Sequence, residues 1–126
     1  MMRIFSELKP FKKLILLAIL IRFLVMPFYF HPDIKTYHFQ ASFLKRGVLD
    51  IYTYLAENRQ TLPLKEEFVY FPLAYFFLGG YQMLISPLLG VNFESWLNDA
   101  SGLGAITVGS YRYLFLLKLP YLILDI

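Results

Sequence analysis

The sequence contains no cysteine and few charged residues, and each shortage excludes a class of protein. Without cysteine the chain forms neither a disulfide framework nor a thiolate metal site. Charged residues make up only 17% of it and hydrophobic residues 58%, whereas average soluble domains hold about 25% charged residues. This balance indicates a membrane protein.

Several functional motifs are also missing. There is no Gly-rich phosphate-binding loop and no Ser-His-Asp or Cys-His arrangement with a supporting motif. His31 and His38 are the only histidines, and neither has a set of metal-ligating residues around it. The net charge of +3 arises mainly in the first 13 residues rather than on a nucleic-acid-binding face. We therefore expect no metal, no cofactor and no nucleic-acid partner.

Three apolar runs predict helices in a membrane. Residues 14–30 carry one charge, and residues 68–89 form an uncharged stretch of 22 residues, where about 20 suffice to span a bilayer. The third run, residues 113–126, has only 14 residues and is too short to cross. The sequence thus predicts an all-α, polytopic transmembrane protein with two full spans and a truncated third.

The charges around the first run predict its orientation. Lys and Arg residues precede it, and it ends in bulky residues rather than the small ones of a cleavable signal peptide. By the positive-inside rule the amino terminus is cytoplasmic, residues 31–67 form an outer loop and residues 90–111 a cytoplasmic one. We expect an integral, multi-pass protein of a prokaryotic plasma membrane.

The first outer loop contains a second helical pattern. Apolar residues recur at helical spacing from Ile34 to Arg46, and Gly47 supplies a stop. This pattern predicts a short amphipathic helix lying on the outer surface, with its apolar face in the headgroup region.

Gly79 and Gly80 lie inside the second run. Such a pair either permits close contact between helices or forms a flexible point. The sequence leaves both interpretations open.

The third run stops partway into an apolar helix, with Asp125 one residue from the carboxyl end. Natural termini are usually polar, so we expect residues 1–126 to be the amino-terminal piece of a larger protein. A piece of this kind is expected to have no catalytic activity alone.

Two charged residues are candidates for a functional role. Asp33 follows the first run directly, where a carboxylate meets both a lipid-bound and a water-soluble reactant; it is also a good helix N-cap. Arg22 lies in the middle of the run, where arginine costs about 2.5–3.5 kcal/mol and usually faces a bundle interior or a water-filled cavity. Alternatively, Arg22 has no functional role and extends its side chain to the membrane interface.

Aromatic residues near the predicted outer surface are weaker candidates. Tyr70, with Tyr52, Tyr54 and Phe71, could stack on a sugar ring. Aromatic side chains are, however, enriched at membrane interfaces in any case. The pattern therefore leaves a structural role open for all four.

The order of these features along the chain resembles the start of the polytopic glycosyltransferases of the C-type (GT-C) fold, and most closely the mannosyltransferase-like group. The resemblance covers residues 14–89. It is carried by a basic amino end, an arginine within the first span, the exit acid in His31-Pro32-Asp33, Tyr37, a helix ending at Gly47, Ile51-Tyr52, and Phe68-Val69-Tyr70-Phe71-Pro72-Leu73 at the second span.

The resemblance implies a multi-span helical enzyme that transfers a sugar from a polyprenyl-phosphate donor to a glycan, lipid or protein acceptor at the outer membrane face. Asp33 would be the catalytic carboxylate of the first outer loop, and it would act as the general base. Arg22, and second Lys35, are candidates to stabilise the departing phosphate. Tyr37 and Tyr70 are further candidates for substrate binding.

The alternative is a non-catalytic membrane protein, such as the start of a transporter or flippase, or an accessory subunit. In that case Arg22 pairs with a neighbouring helix and Asp33 serves only as a helix cap. Both readings predict membrane lipid as a partner.

Overall fold

The computed structural model describes residues 11–102 and 109–124, and every regular element in those two ranges is a helix. The helices are α1 (Lys12–Val25), α2 (Pro32–Ala41), α3 (Ile51–Asn58), α4 (Pro72–Leu89), α5 (Phe93–Asn98) and α6 (Ser110–Leu124). Three-residue to five-residue 3-10 turns follow α1, α2 and α5, over Met26–Phe28, Ser42–Arg46 and Ala100–Gly102. The all-α prediction is therefore confirmed for the part of the chain that is described. Arg3, Lys9 and Asp125 lie outside it.

The predicted apolar runs match three of these helices. The second run begins to be helical at Pro72, in the first turn, where the missing N–H of proline has no helical partner in any case. Within the described ranges, α4 is the one helix long and apolar enough by itself to cross a membrane. The segments Lys12–Phe28 and Pro32–Arg46 pass the same test only together, and they are bent by 81°. Multi-pass insertion therefore stays a prediction.

Helix α4 has two different faces. Its buried stripe recurs at spacings of three and four residues: Tyr75, Leu78, Gln82, Ile85 and Leu89. The opposite stripe is exposed and wholly apolar: Leu73, Phe77, Leu84 and Leu88. The buried stripe packs on α2 and α6, so the interior of the protein lies on one side of α4.

Helix α2 lies elsewhere than predicted. The segment is helical over Pro32–Ala41 and continues in the 3-10 turn Ser42–Arg46, close to the predicted bounds. It contacts α4, α5 and α6, however, and six of its ten helical residues are buried. Its position between three helices differs from that of an amphipathic helix with one face resting on a surface.

Gly79 decides how closely α2 and α4 approach. A Cβ atom at this position would lie 2.8 Å from the Ala41 carbonyl oxygen and 2.7 Å from Leu44 Cδ2. At Gly80 a Cβ would meet nothing within 4 Å. Of the two interpretations of the glycine pair, close helix contact applies to Gly79.

Helix α1 is attached to the rest of the protein by few contacts. None of its residues is buried. The Phe23 and Phe115 rings meet edge to face with centroids 4.9 Å apart, and the 3-10 turn after α1 packs on α6. The end of α1, rather than its length, is therefore anchored.

Candidate functional site

Asp33 lies at the bend between α1 and α2, and it is not the helix cap that its sequence position allows. The N-cap of α2 is His31, whose Nδ1 accepts a hydrogen bond from the Asp33 N–H at 3.4 Å. Pro32 takes the first helical position and Asp33 the second. The Asp33 side chain is 54% exposed, so its carboxylate is accessible to a substrate.

The side chains of His31 and Asp33 lie against each other at the start of α2. His31 Nδ1 is 3.4 Å from the Asp33 main-chain nitrogen and 3.4 Å from Asp33 Oδ2.

Basic side chains line a groove beside this bend. The groove lies between the end of α1, the start of α2 and α6, and it has a volume of about 550 Å³. Arg22, His31 and Lys118 contribute the basic groups, and Tyr29 and Tyr121 are among the other lining residues. The predicted Arg22 thus lines the same groove as His31, the residue that caps the helix of Asp33.

Lys118 was missed as a site residue by the sequence reasoning. Its ammonium donates to the main-chain carbonyl oxygen of Met26 at 3.0 Å and to that of Tyr29. These carbonyls belong to the 3-10 turn that ends α1 and to the residue after it. In the sequence, the one signal at Lys118 is a charge inside an apolar run. The sequence does not show which carbonyl groups the ammonium binds.

Tyr37 and Tyr70 are brought together by the fold. Their ring centroids are 4.6 Å apart with the planes at 67°, and Phe68 lies 6.2 Å from Tyr37. The Tyr52 hydroxyl donates to the Tyr70 carbonyl oxygen. The two predicted aromatic residues therefore form one cluster, which meets α2 one turn after Asp33.

Lys35 lies apart from the other predicted site residues. Its side chain is fully buried, and its ammonium donates to the Asp99 carbonyl oxygen at 2.6 Å. The same group lies 5.0 Å from the centre of the Trp96 ring. These contacts direct Lys35 towards α5 and the turn after it, away from the groove.

The histidines do not form a metal centre. His38 is buried with its ring 6.3 Å from that of Tyr121, whereas His31 is exposed at the bend. In the described ranges no group of three or more His, Cys, Asp or Glu residues is placed to hold a metal ion.

Comparisons with protein family models, with curated proteins and with solved structures found no match to this chain. Function is therefore argued from the site itself. The arrangement combines an exposed carboxylate, an adjoining basic groove and a nearby aromatic cluster. Such a set can deprotonate a hydroxyl group, hold an anionic leaving group and stack on a ring.

Proposed function

We propose that residues 1–126 are part of a membrane glycosyltransferase, inactive as this piece alone, which in its complete form transfers a sugar from a polyprenyl-phosphate donor to a glycan, lipid or protein acceptor. The observation that carries this proposal is the groove lined by Arg22, His31 and Lys118, together with the exposed carboxylate of Asp33, whose neighbours His31 and Ile34 both line that groove. We assign the carboxylate to the acceptor and the positive charge of the groove to the departing phosphate. The proposal places the site at the outer face of a prokaryotic plasma membrane, with the amino terminus in the cytoplasm.

The reaction gives each group a defined task. The acceptor hydroxyl attacks the anomeric carbon, the bond from that carbon to the phosphate oxygen breaks, and the hydroxyl proton passes to Asp33. Arg22 stabilises the charge that develops on the phosphate. Lys118 has three N–H donors, of which two are directed to Met26 and Tyr29. Its third can contact the same phosphate.

The aromatic cluster and Lys35 receive different roles. Tyr37 and Tyr70 offer ring faces and hydroxyl groups next to the first turn of α2 and are assigned to acceptor or sugar binding. Lys35 is left out of the phosphate site, because its ammonium is buried against Asp99 and Trp96. We therefore propose Lys118, rather than Lys35, as the second candidate for phosphate binding.

The position of Asp33 also bears on the non-catalytic alternative. In that alternative Asp33 serves as a helix cap, and His31 occupies the cap position. The capping role that this alternative assigns to Asp33 is therefore filled by His31. This is the one observation that favours the transferase over the transporter, flippase or accessory subunit.

The test is sugar transfer in native membranes, with the substitution introduced into the chromosomal copy. Asp33→Asn keeps the size of the side chain and removes its basicity, so transfer from a polyprenyl-phosphate hexose falls by about 10²- to 10⁴-fold. Glu67→Gln is the matched control, since Glu67 is an exposed acid of the same loop. Undiminished transfer by the Asp33→Asn membranes would refute the assignment of the base.

A further inference from the structure

The segment Pro32–Arg46 follows α4 along the first half of that helix. The Tyr37 ring contacts that of Tyr70, two residues before α4 begins, with the centroids 4.6 Å apart. Further along, Leu44 lies against Gly79 in the middle of α4, where a Cβ atom would be 2.7 Å from Leu44 Cδ2. Because the two segments advance together, they run in the same general direction.

Helix α1 runs across this direction. The segments Lys12–Phe28 and Pro32–Arg46 are bent by 81° at the break between them. Helix α4 follows the second segment and is therefore steeply inclined to α1. Helices that cross a bilayer tilt on average by only about 20° from its normal. The two apolar helices therefore do not both cross a membrane.

The chain on both sides of α4 is attached to one helix, α2. Before α4, the Glu66 carbonyl oxygen accepts a hydrogen bond from the Gln40 amide at 2.7 Å. After α4, the Asp99 carbonyl oxygen accepts from the Lys35 ammonium at 2.6 Å. The five residues from Lys35 to Gln40 rise by about 7.5 Å along a helix, whereas a bilayer core is about 30 Å thick. Even with the lengths of both side chains added, the two carbonyl groups are too close together to lie on opposite sides of a bilayer.

Exposed charges oppose a return of the segment after α4 through the membrane. The Glu94 carboxylate lies 3.5 Å from Lys45 Nζ and 3.6 Å from Arg46 Nη2, and all three side chains are more than half exposed. In a bilayer a charged side chain is costly unless it faces a protein interior or a water-filled cavity. These contacts therefore indicate that the segment after α4 is in water, like the loop before α4.

One face of α4 is apolar and stays exposed in the described part of the chain. It is the stripe formed by Leu73, Phe77, Leu84 and Leu88, of which Leu73 and Leu84 are each 78% exposed. An exposed apolar patch marks a site of interaction with protein or membrane. The orientation favours lipid, because a helix steeply inclined to a membrane-crossing α1 lies close to the plane of the membrane surface.

We infer that α1 crosses the membrane and that α4 lies along the membrane surface, on the side reached by the end of α1, with its exposed stripe in contact with lipid. Of the two full spans that the sequence predicts, α1 then remains. With the amino terminus in the cytoplasm, residues 90–102 lie outside, although they belong to the loop predicted to be cytoplasmic. This arrangement does not depend on the reaction proposed above.

Single cysteines on the two sides of α4 test this arrangement, since residues 1–126 contain no native cysteine. Gln60, in the loop before α4, and Ser95, in α5, are both exposed. Ser6 precedes α1 and reports the cytoplasmic side. We expect a membrane-impermeant maleimide added to intact cells to label Gln60→Cys and Ser95→Cys at rates within about threefold of each other, because both thiols are exposed. Ser6→Cys should be labelled only after permeabilisation.

Two other labelling patterns have different meanings. Labelling of Gln60→Cys from outside, with Ser95→Cys labelled only after permeabilisation, would show that α4 crosses and would overturn the inference. Labelling of Ser6→Cys alone from outside would reverse the orientation of α1 and remove the proposed outer site. It would still support the inference, because both ends of α4 would be on one side.

Spin labels on the exposed stripe measure the depth of α4 in lipid vesicles. Nitroxides attached to Leu73→Cys, Leu84→Cys and Leu88→Cys are expected to be reached by oxygen, which dissolves in lipid, and to lie at similar depths. If α4 crossed the bilayer, Leu84 would lie about 6 Å deeper than Leu88, which is four residues nearer the end of the helix. A difference of this size would overturn the inference. Exposure of the stripe to a water-soluble nickel complex, or its protection from both oxygen and nickel by other protein, would overturn the contact with lipid.

Discussion

Lys118 donates a hydrogen bond of 3.0 Å to the main-chain carbonyl oxygen of Met26, although the two residues are 92 positions apart. The bond joins α6 to the 3-10 turn that ends α1. Since α1 has no buried residue of its own, its end depends on contacts of this kind. The same turn leads into His31 and Asp33, so the position of the candidate base depends on a residue from the other end of the chain.

Replacing Lys118 with methionine keeps much of its apolar length and removes the ammonium. We expect a loss of stability of about 1–3 kcal/mol, since a charged hydrogen-bond donor is removed from partly buried carbonyls. Thermal unfolding in detergent micelles measures the change. Lys45→Met is the control, because Lys45 forms an exposed ion pair that contributes about 1 kcal/mol or less. Equal unfolding temperatures of the two variants would contradict the anchoring role.

The adjacent glycines of α4 should respond to alanine in opposite ways. Gly79→Ala places a Cβ against Ala41 and Leu44 and is expected to destabilise the protein by about 1–3 kcal/mol. Gly80→Ala adds a methyl group in open space and is expected to stabilise α4 by about 0.5–1 kcal/mol. Denaturation of both variants under one condition gives the comparison. If Gly79→Ala did not lower the free energy of unfolding, α2 and α4 would have to be farther apart than they are in the structure.

Asp50 makes the stability of α3 depend on pH in a direction that the structure defines. It caps α3, and hydrogen bonds from the Thr53 hydroxyl and N–H lower the pKa of its carboxyl group from 3.8. The folded state therefore favours the ionised form, and this stabilisation is present above about pH 3.8 and is lost as pH falls through the lowered pKa. The protection factor of the Thr53 amide, which is the intrinsic exchange rate at each pH divided by the observed rate, should therefore fall in acid.

Asp50→Asn separates the cap from its charge. Asparagine is also a good N-cap, so the helix should be retained while the acid-dependent part of the protection disappears. Identical pH profiles for the wild type and this variant would show that Asp50 is not the group that titrates.

Arg22 is expected to act on the departing phosphate of the proposed reaction. Arg22→Gln should lower kcat by about 10²-fold, the scale found when one stabilising donor of a developing charge is removed. Arg22→Lys should recover part of the rate, because it restores the charge without the planar guanidinium. Arg59→Gln removes an arginine that is paired with Glu67 at 3.0 Å outside the groove, and it should leave kcat unchanged. A loss of stability without a change in kcat would assign Arg22 a structural role instead.

Local sequence patterns were sufficient for α1, α2, α4 and α6, whereas α3 and α5 lie in segments that were predicted as loops. Apolar runs, Pro72 in a first turn and Gly47 as a stop are recognised from neighbouring residues, because helix propensity and termination are short-range effects. Asp33 and Arg22 could also be selected as candidates from the sequence. An acid at the end of an apolar run and an arginine within it are rare, whatever tertiary structure the run adopts.

The sequence by itself thus determined the helical class, the approximate bounds of α1, α2, α4 and α6, and the choice of Asp33 and Arg22. Only the tertiary structure decided that His31 is the cap of α2, that Lys118 holds the end of α1, and that Lys35 is directed to Asp99. It also decided that α2 is buried between three helices. The physical reason is that caps, carbonyl partners and burial depend on atoms up to 92 positions away along the chain, which no local pattern of side chains contains.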